Sequence, residues 1–306
     1  MMKQFVLFLA VVFSLNAQAA IKIAITVDDI PAHGNLPKGM TRYEIAKQYV
    51  DILKKHKVPG VYAFVNKGRG DDSEDSLKAI KVWQDAGYTL GNHTWDHPSL
   101  NKNPADVFIK AIDLNDEYLK GVSGKADWKY FRYPNLHEGD TLEKRNAVRA
   151  HLKEKGYKIA QVTIDFNDWA WNNPYARCLE KNDKKSIEWL KESYLQNATD
   201  NMLHSEEVSK KVFKKQIPHI LLMHVGALDI QVLDQMLTNY EKKGVEFIPL
   251  AEAVKDPIYE IDPGVTLKWG GELQYQVLRG SGKTIKDLGM QPFDEFPEDK
   301  LNKICM

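Results

Sequence analysis

Seven short apolar runs, each followed by a longer amphipathic or polar stretch, constrain most strongly what this chain can fold into. The runs cover residues 21–27, 60–65, 88–91, 129–132, 158–164, 219–223 and 245–250. Their length and their content of Ile, Val, Tyr and Phe predict buried strands. Helical spacing of apolar residues predicts helices over 42–55, 74–86, 104–120, 141–155 and 230–243. Strand–helix repetition implies a parallel sheet, and seven units predict an α/β fold, a distorted (β/α)7 TIM-like barrel. An open doubly wound sheet is the competing arrangement, but no Gly-rich phosphate loop follows the first strand.

Two segments break the rhythm. Residues 171–218 are charged and helical in pattern and longer than one crossover needs, so they read as a helical insertion, either a wall beside a site or a solvated excursion. From residue 256 the alternation stops. The extension 256–306 reads as a strap packed over the barrel or an accessory ligand contact, with 266–269 and 273–278 as a candidate hairpin.

The first residues carry Lys3, an apolar segment from Phe5 to Leu15, and Ala17-Gln18-Ala19. This pattern predicts a signal peptide over 1–19, cleavage near Ala19, and a periplasmic or extracellular protein. No other stretch is apolar for long enough to span a membrane, so no transmembrane segment is expected in the mature chain. In an oxidising compartment the two cysteines, Cys178 and Cys305, could pair, or they could remain as free thiols. Lys+Arg and Asp+Glu balance at 42 each with no basic stripe, which argues against a nucleic-acid partner.

Polar clusters fall where the predicted strands end, the position at which barrel enzymes keep their chemistry. The first strand runs into Asp28-Asp29. Side chains alternate along a strand, so the two carboxylates are expected to face different surroundings and take different jobs. The third gives His93-Thr-Trp-Asp-His97, two imidazoles that share a face on a helical turn and, with one carboxylate, make a three-ligand metal site. The fourth ends in Arg132-Tyr133-Pro134-Asn135, its arginine suited to orienting a carboxylate. The fifth ends in Asp165-Phe-Asn-Asp168-Trp169 and the sixth in Leu222-Met-His224.

This ordered set resembles the five motifs of the polysaccharide deacetylases, carbohydrate esterase family 4 or the NodB homology group, over about residues 21–254. The resemblance implies a deacetylase domain over 20–255. In it Asp29, His93 and His97 would hold a divalent metal, zinc first, with cobalt, nickel or iron acceptable to the same ligands. Asp28 would be the general base, oriented by Arg132, and His224 the general acid, held by Asp168. The backbone N–H of Tyr133 would stabilise an oxyanion beside Pro134, and Trp169 and Leu222 would wall the acetyl pocket. The chain departs from the usual first motif, Asp-Asp-Gly-Pro, at Ile30 and carries His33 nearby. Asn135 and His137 alter the third motif, and the two histidines read as surface-loop residues first and as substrate contacts second. The implied activity is removal of N-acetyl groups from N-acetylglucosamine in a glycan, peptidoglycan first. The alternatives are chitin oligosaccharides, a small non-sugar amide, or a non-catalytic glycan binder on the same barrel.

Overall fold

The computed structural model describes residues 20–306 apart from Ala32 and Asp71, so the predicted signal peptide lies outside the described residues. Seven strands run in chain order: β1 (Ile21–Ile30), β2 (Tyr62–Val65), β3 (Thr89–Asn92), β4 (Tyr130–Phe131), β5 (Lys158–Ile159), β6 (His219–His224) and β7 (Val245–Phe247). All pairs are parallel, in the order β5-β4-β3-β2-β1-β6, with β7 paired to the start of β1. The curl is completed by a single bridge from Ile164 to Leu221, supported by Leu222 N–H donating to Ile164 O at 3.0 Å. The run predicted as one strand over 158–164 is therefore two pieces. Its start pairs with β4 and its end with β6, which is the distortion of this (β/α)7 barrel.

Ten α-helices are described: α1 (Arg42–Lys55), α2 (Glu74–Asp85), α3 (Ala105–Val122), α4 (Leu142–Glu154), α5 (Asn172–Glu180), α6 (Lys184–Phe213), α7 (Asp229–Lys242), α8 (Leu250–Ala253), α9 (Leu273–Gly280) and α10 (Glu298–Lys303). Side-chain caps set several starts. Thr41 and Glu44 form a reciprocal capping box on α1, and Ser73, Thr141 and Asp183 cap α2, α4 and α6.

The period-two alternation of the strands separates two cores. Ile23, Ile25 and Val27 of β1 face outward and pack with Tyr49 and Leu53 of α1 and Leu233 and Leu237 of α7. Ala24 faces inward with Phe64 of β2, Tyr130 of β4 and Ile220 of β6. Continuing each inward series by two residues gives Thr26 and Asp28, Asn66, Arg132, and Leu222 and His224. The barrel interior thus turns from apolar to polar toward its C-terminal rim.

The segment 171–218 is not a solvated excursion. On α6, Leu190, Tyr194, Ala198 and Met202 recur every four residues and are fully buried, making it part of the helical shell. The hairpin expected over 266–278 is absent, because Leu273–Gly280 is helical. Leu273 and Val277 sit one turn apart and pack with Ile217 and Ile258, while the N–H of Leu273 and the side-chain amide of Gln274 satisfy the carbonyls of Val162 and Thr163. Those carbonyls lie where the sheet passes from β4 to β6, so the extension supplies hydrogen bonds that a regular strand neighbour would have made.

Cys178 and Cys305 form a disulfide that joins α5 to the chain's end across 127 residues. Replacing both with serine should cost about 2–4 kcal/mol of stability. The check is urea unfolding with and without reductant. Reductant should bring the native protein down to the variant and leave the variant unmoved; identical midpoints for native and variant would show that the bond contributes nothing.

Candidate metal and acid–base site

Local backbone distortions bring the polar strand ends together. The register of β1 shifts between Val27 and Ile30, and Asp29 takes a left-handed φ of 63°. The expected alternation is overturned here: the bulge turns Asp29 toward the same centre as Asp28. His93 and His97 also differ from expectation. Their segment is an irregular loop, with Thr94 at φ 67° and His97 at φ 60°, rather than a helical turn. The loop is held by amides of neighbouring strand ends. Asn66 Nδ2 donates to the carbonyls of His93 and Thr94, and Asn92 Oδ1 accepts from Thr94 N–H at 2.8 Å.

Asp29, His93 and His97 form a group that could hold a metal ion, with donor atoms within 4.8 Å of one another. Asp29 Oδ1 lies 3.3 Å from His97 Nε2 and 3.7 Å from His93 Nε2. The same oxygen is buried and has no hydrogen-bond partner among the described residues. An unpaired buried carboxylate oxygen is costly, and a cation between it and the two imidazoles removes that cost. His93 Nδ1 donates to the carbonyl of Arg132 at 2.7 Å, which leaves the Nε2 lone pair for a ligand. Burial pushes His93 down to about 4 and, with help from His93, pushes His97 down to about 3. Both rings are therefore neutral at pH 7, the form that ligates, and two nitrogens with one carboxylate suit a divalent first-row cation.

The other oxygen of Asp29 is well supplied with donors. Oδ2 accepts from His33 Nδ1 at 3.1 Å and pairs with Arg69 Nη1 at 2.8 Å. Burial opposes the charge, but the hydrogen bond from His33 and the field of His97 hold Asp29 well below the usual carboxylate range.

Asp28 and His224 are direct register partners on β1 and β6. Asp28 is buried, with both oxygens 3.3 Å from Arg132 Nη1. Burial raises its pKa despite the guanidinium. His224 Nδ1 donates to Asp168 Oδ1 at 2.8 Å, and its backbone N–H donates to Asp168 Oδ2 at 2.5 Å. Burial disfavours the imidazolium, yet the Asp168 charge and hydrogen bond outweigh it and raise His224 to about 10.

Asp28, Asp29, His93, His97, Trp169, Leu222 and His224 line one cavity of about 930 Å³. Arg132 and Asp168 lie behind it as supports. The side chains of Tyr133 and Pro134 are buried and do not line it; Tyr133 stacks on Phe108, and the next residues, Asn135, Leu136 and His137, form the rim. His33, expected on the surface, is instead packed against His224 with ring centroids 4.5 Å apart, while His137 lies at the rim with Nδ1 2.8 Å from Ser99 Oγ. Sequence reasoning assigned no role to Arg69. The available signal was its place just after the second strand, where the other strands already carried polar clusters.

The fold and this site define a curled parallel barrel with a candidate cation centre between one carboxylate and two imidazoles. Residues 16–160, just under half of the chain, match the family model described as polysaccharide deacetylase. It is 27% identical over 212 residues to the peptidoglycan-N-acetylmuramic acid deacetylase PdaA of Bacillus subtilis, covering 69% of this chain and 65% of the relative. It is 28% identical over 148 residues to a peptidoglycan-N-acetylglucosamine deacetylase of Bacillus cereus, covering 48% and 46%. The matches therefore span less than two thirds of these relatives' lengths. The fold resembles the chitin deacetylase of Colletotrichum lindemuthianum with a TM-score of 0.54 and 23% identity, over 76% of this chain and 87% of that one.

Because His33 donates to the carboxylate of this candidate cation site, His33→Ala should weaken zinc or cobalt binding by about 10- to 100-fold. Calorimetric titration of the metal-free protein measures this directly. Native affinity in a folded variant would rule out support of Asp29 by His33.

Proposed function

We propose that this protein is a metal-dependent hydrolase that removes N-acetyl groups from amino sugars of an extracytoplasmic glycan, with N-acetylglucosamine of peptidoglycan as first substrate. The observation that carries this reading is the unpaired, buried Asp29 Oδ1 facing two neutral imidazoles, beside an oriented carboxylate and an imidazole kept protonated. The names of the two Bacillus relatives support peptidoglycan as the polymer class. The Cys178–Cys305 disulfide supports an oxidising compartment and therefore export. A non-catalytic binder has no use for the acid–base pair.

Asp29, His93 and His97 are the residues we assign to the cation, zinc first, with cobalt, nickel or iron compatible with the same donors. When bound, such an ion polarises the amide carbonyl and acidifies water. Asp28, fixed by Arg132, takes a proton from the water that attacks the acetyl carbon. The developing oxyanion is expected to receive the backbone N–H of Tyr133. His224 then gives its proton to the amine nitrogen as the C–N bond breaks, since an unprotonated amine leaves poorly. Acetate and a free amino sugar result, and a proton passes from Asp28 to His224 through solvent to restore both groups. Trp169 and Leu222 wall the acetyl pocket in this reading.

Acetate release from N-acetylglucosamine oligomers and purified peptidoglycan tests the proposal. Native protein should be active, chelated protein inactive and restored by zinc, and Asp28→Ala reduced by at least about 10²-fold, the scale of a lost general base. No release by folded, zinc-loaded protein would refute it.

A second test concerns pH. His224 must be protonated to act, and its pKa is raised by Asp168. Removing that charge with Asp168→Asn lowers the pKa, so the proton is lost at lower pH. The alkaline limb of the kcat profile should move down while the acid limb, governed by Asp28, stays. An unmoved alkaline limb would exclude His224 as the acid.

A further inference from the structure

The cavity is walled on one side by the C-terminal extension, which lies outside the five motifs. Trp269, Glu272, Tyr275, Phe293 and Phe296 all line the space that holds Asp28 and His224. The extension is not a loose strap. Beyond the bonds of Leu273 and Gln274 to the barrel, Gln276 Nε2 donates to Glu138 Oε1 at 3.1 Å, Asp262 pairs with Arg145, and the disulfide closes its far end.

Trp269 stands out within this wall. It is 78% exposed, although burial of a large apolar side chain is worth roughly 1.5–3 kcal/mol. Its backbone is nevertheless fixed. Asn101 Nδ2 donates to the carbonyl of Lys268 at 3.0 Å, and Asn101 Oδ1 accepts from Gly139 N–H at 3.0 Å, tying the Trp269 loop to the rim after β4. Gly270 has φ 71°, and a Cβ there would lie 2.6 Å from Asn135 O and 2.8 Å from Leu136 O, so only glycine permits this approach. The indole is thus held on a rigid mount beside Asn135 and Leu136, with Lys268 Nζ 4.5 Å from its ring centroid and the rest of the ring bare.

An exposed aromatic face on a fixed loop at a cavity mouth marks a ligand contact. The apolar C–H faces of pyranose rings match it in shape and polarity. The cavity, about 930 Å³, is also larger than one amino sugar fills. We infer that Trp269 is a sugar-stacking platform for a ring adjoining the one deacetylated, so that the extension selects oligomeric glycan over short fragments. This rests on the glycan reading above and adds to it a subsite supplied by the extension.

The test compares native protein, Trp269→Ala and Trp269→Phe on N-acetylglucosamine dimer and pentamer. The ratio of kcat/KM for pentamer to that for dimer should fall about tenfold in the alanine variant, the scale of one lost aromatic contact, and partly return with phenylalanine. Circular dichroism checks that the variants fold. An unchanged ratio in Trp269→Ala, with native protein active, would overturn the platform and leave the deacetylase reading intact. If native protein releases no acetate, that reading fails by itself, and pentamer binding to the same proteins decides the subsite. Weaker binding by the alanine variant supports the platform, whereas equal or absent binding overturns it.

Discussion

Arg132 is the interaction on which the rest of the structure depends. Its guanidinium is fully buried, a placement that costs several kcal/mol unless every donor is used. Nε donates to Ala160 O at 2.7 Å, Nη2 to Thr26 Oγ1 at 2.9 Å and Nη1 to Asp28. Thr26 Oγ1 passes the connection on by donating to Leu221 O at 2.7 Å. The main-chain carbonyl of Arg132 itself accepts from His93 Nδ1 at 2.7 Å. One residue at the end of β4 therefore couples the strand exits carrying Asp28, His93 and, through Leu221, His224. The planar fork of arginine is needed for this, and a lysine of equal charge could not make these bonds from one nitrogen.

That coupling explains why strained backbone persists at the rim. Of the ten non-glycine residues with positive φ among those described, six lie in the loops around the cavity: Asp29, Thr94, His97, Asn135, Leu136 and Asn167. Each costs roughly 1–2 kcal/mol relative to ordinary backbone. They survive because buried groups over-determine them, as Asn66 and Asn92 do for the His93 loop. The regular part of each strand provides a stiff base, and irregular residues at its end aim the side chains.

What could be read from sequence follows the range of the forces involved. Helix α1 was legible to the residue because Thr41, Glu44 and its apolar spacing are all local. Strand ends with polar clusters were legible for the same reason, so Asp28, Asp29, His93, His97, Arg132, Asp168, Trp169, Leu222 and His224 are gathered at or just behind one cavity. The failures depend on distant partners. The run 158–164 changes neighbours between β4 and β6. Residues 273–278 become helical on reaching Val162 and Thr163, which lie more than a hundred positions away. His33 reads as a loop residue until Asp29 and His224 surround it. The turn of Asp29 toward Asp28 opposes the period of an ideal strand, so periodicity pointed away from it.

The arrangement also shows how similar side chains acquire different charge states within one small volume. His93, His97 and His224 are all near the same carboxylates, and burial disfavours the charged form of each. For His93 and His97 burial prevails, and both rings stay neutral. His224 differs because Asp168, itself fully buried, binds both its ring and its backbone N–H and so reverses the balance. The carboxylates separate in the same way: donors on Oδ2 keep Asp29 ionised, while Asp28, with one guanidinium at 3.3 Å, is raised by burial. Positions behind the cavity wall thus decide which side chain can ligate, which can accept a proton and which can donate one. Asp168 and Arg132 set these properties from behind the cavity, without lining it.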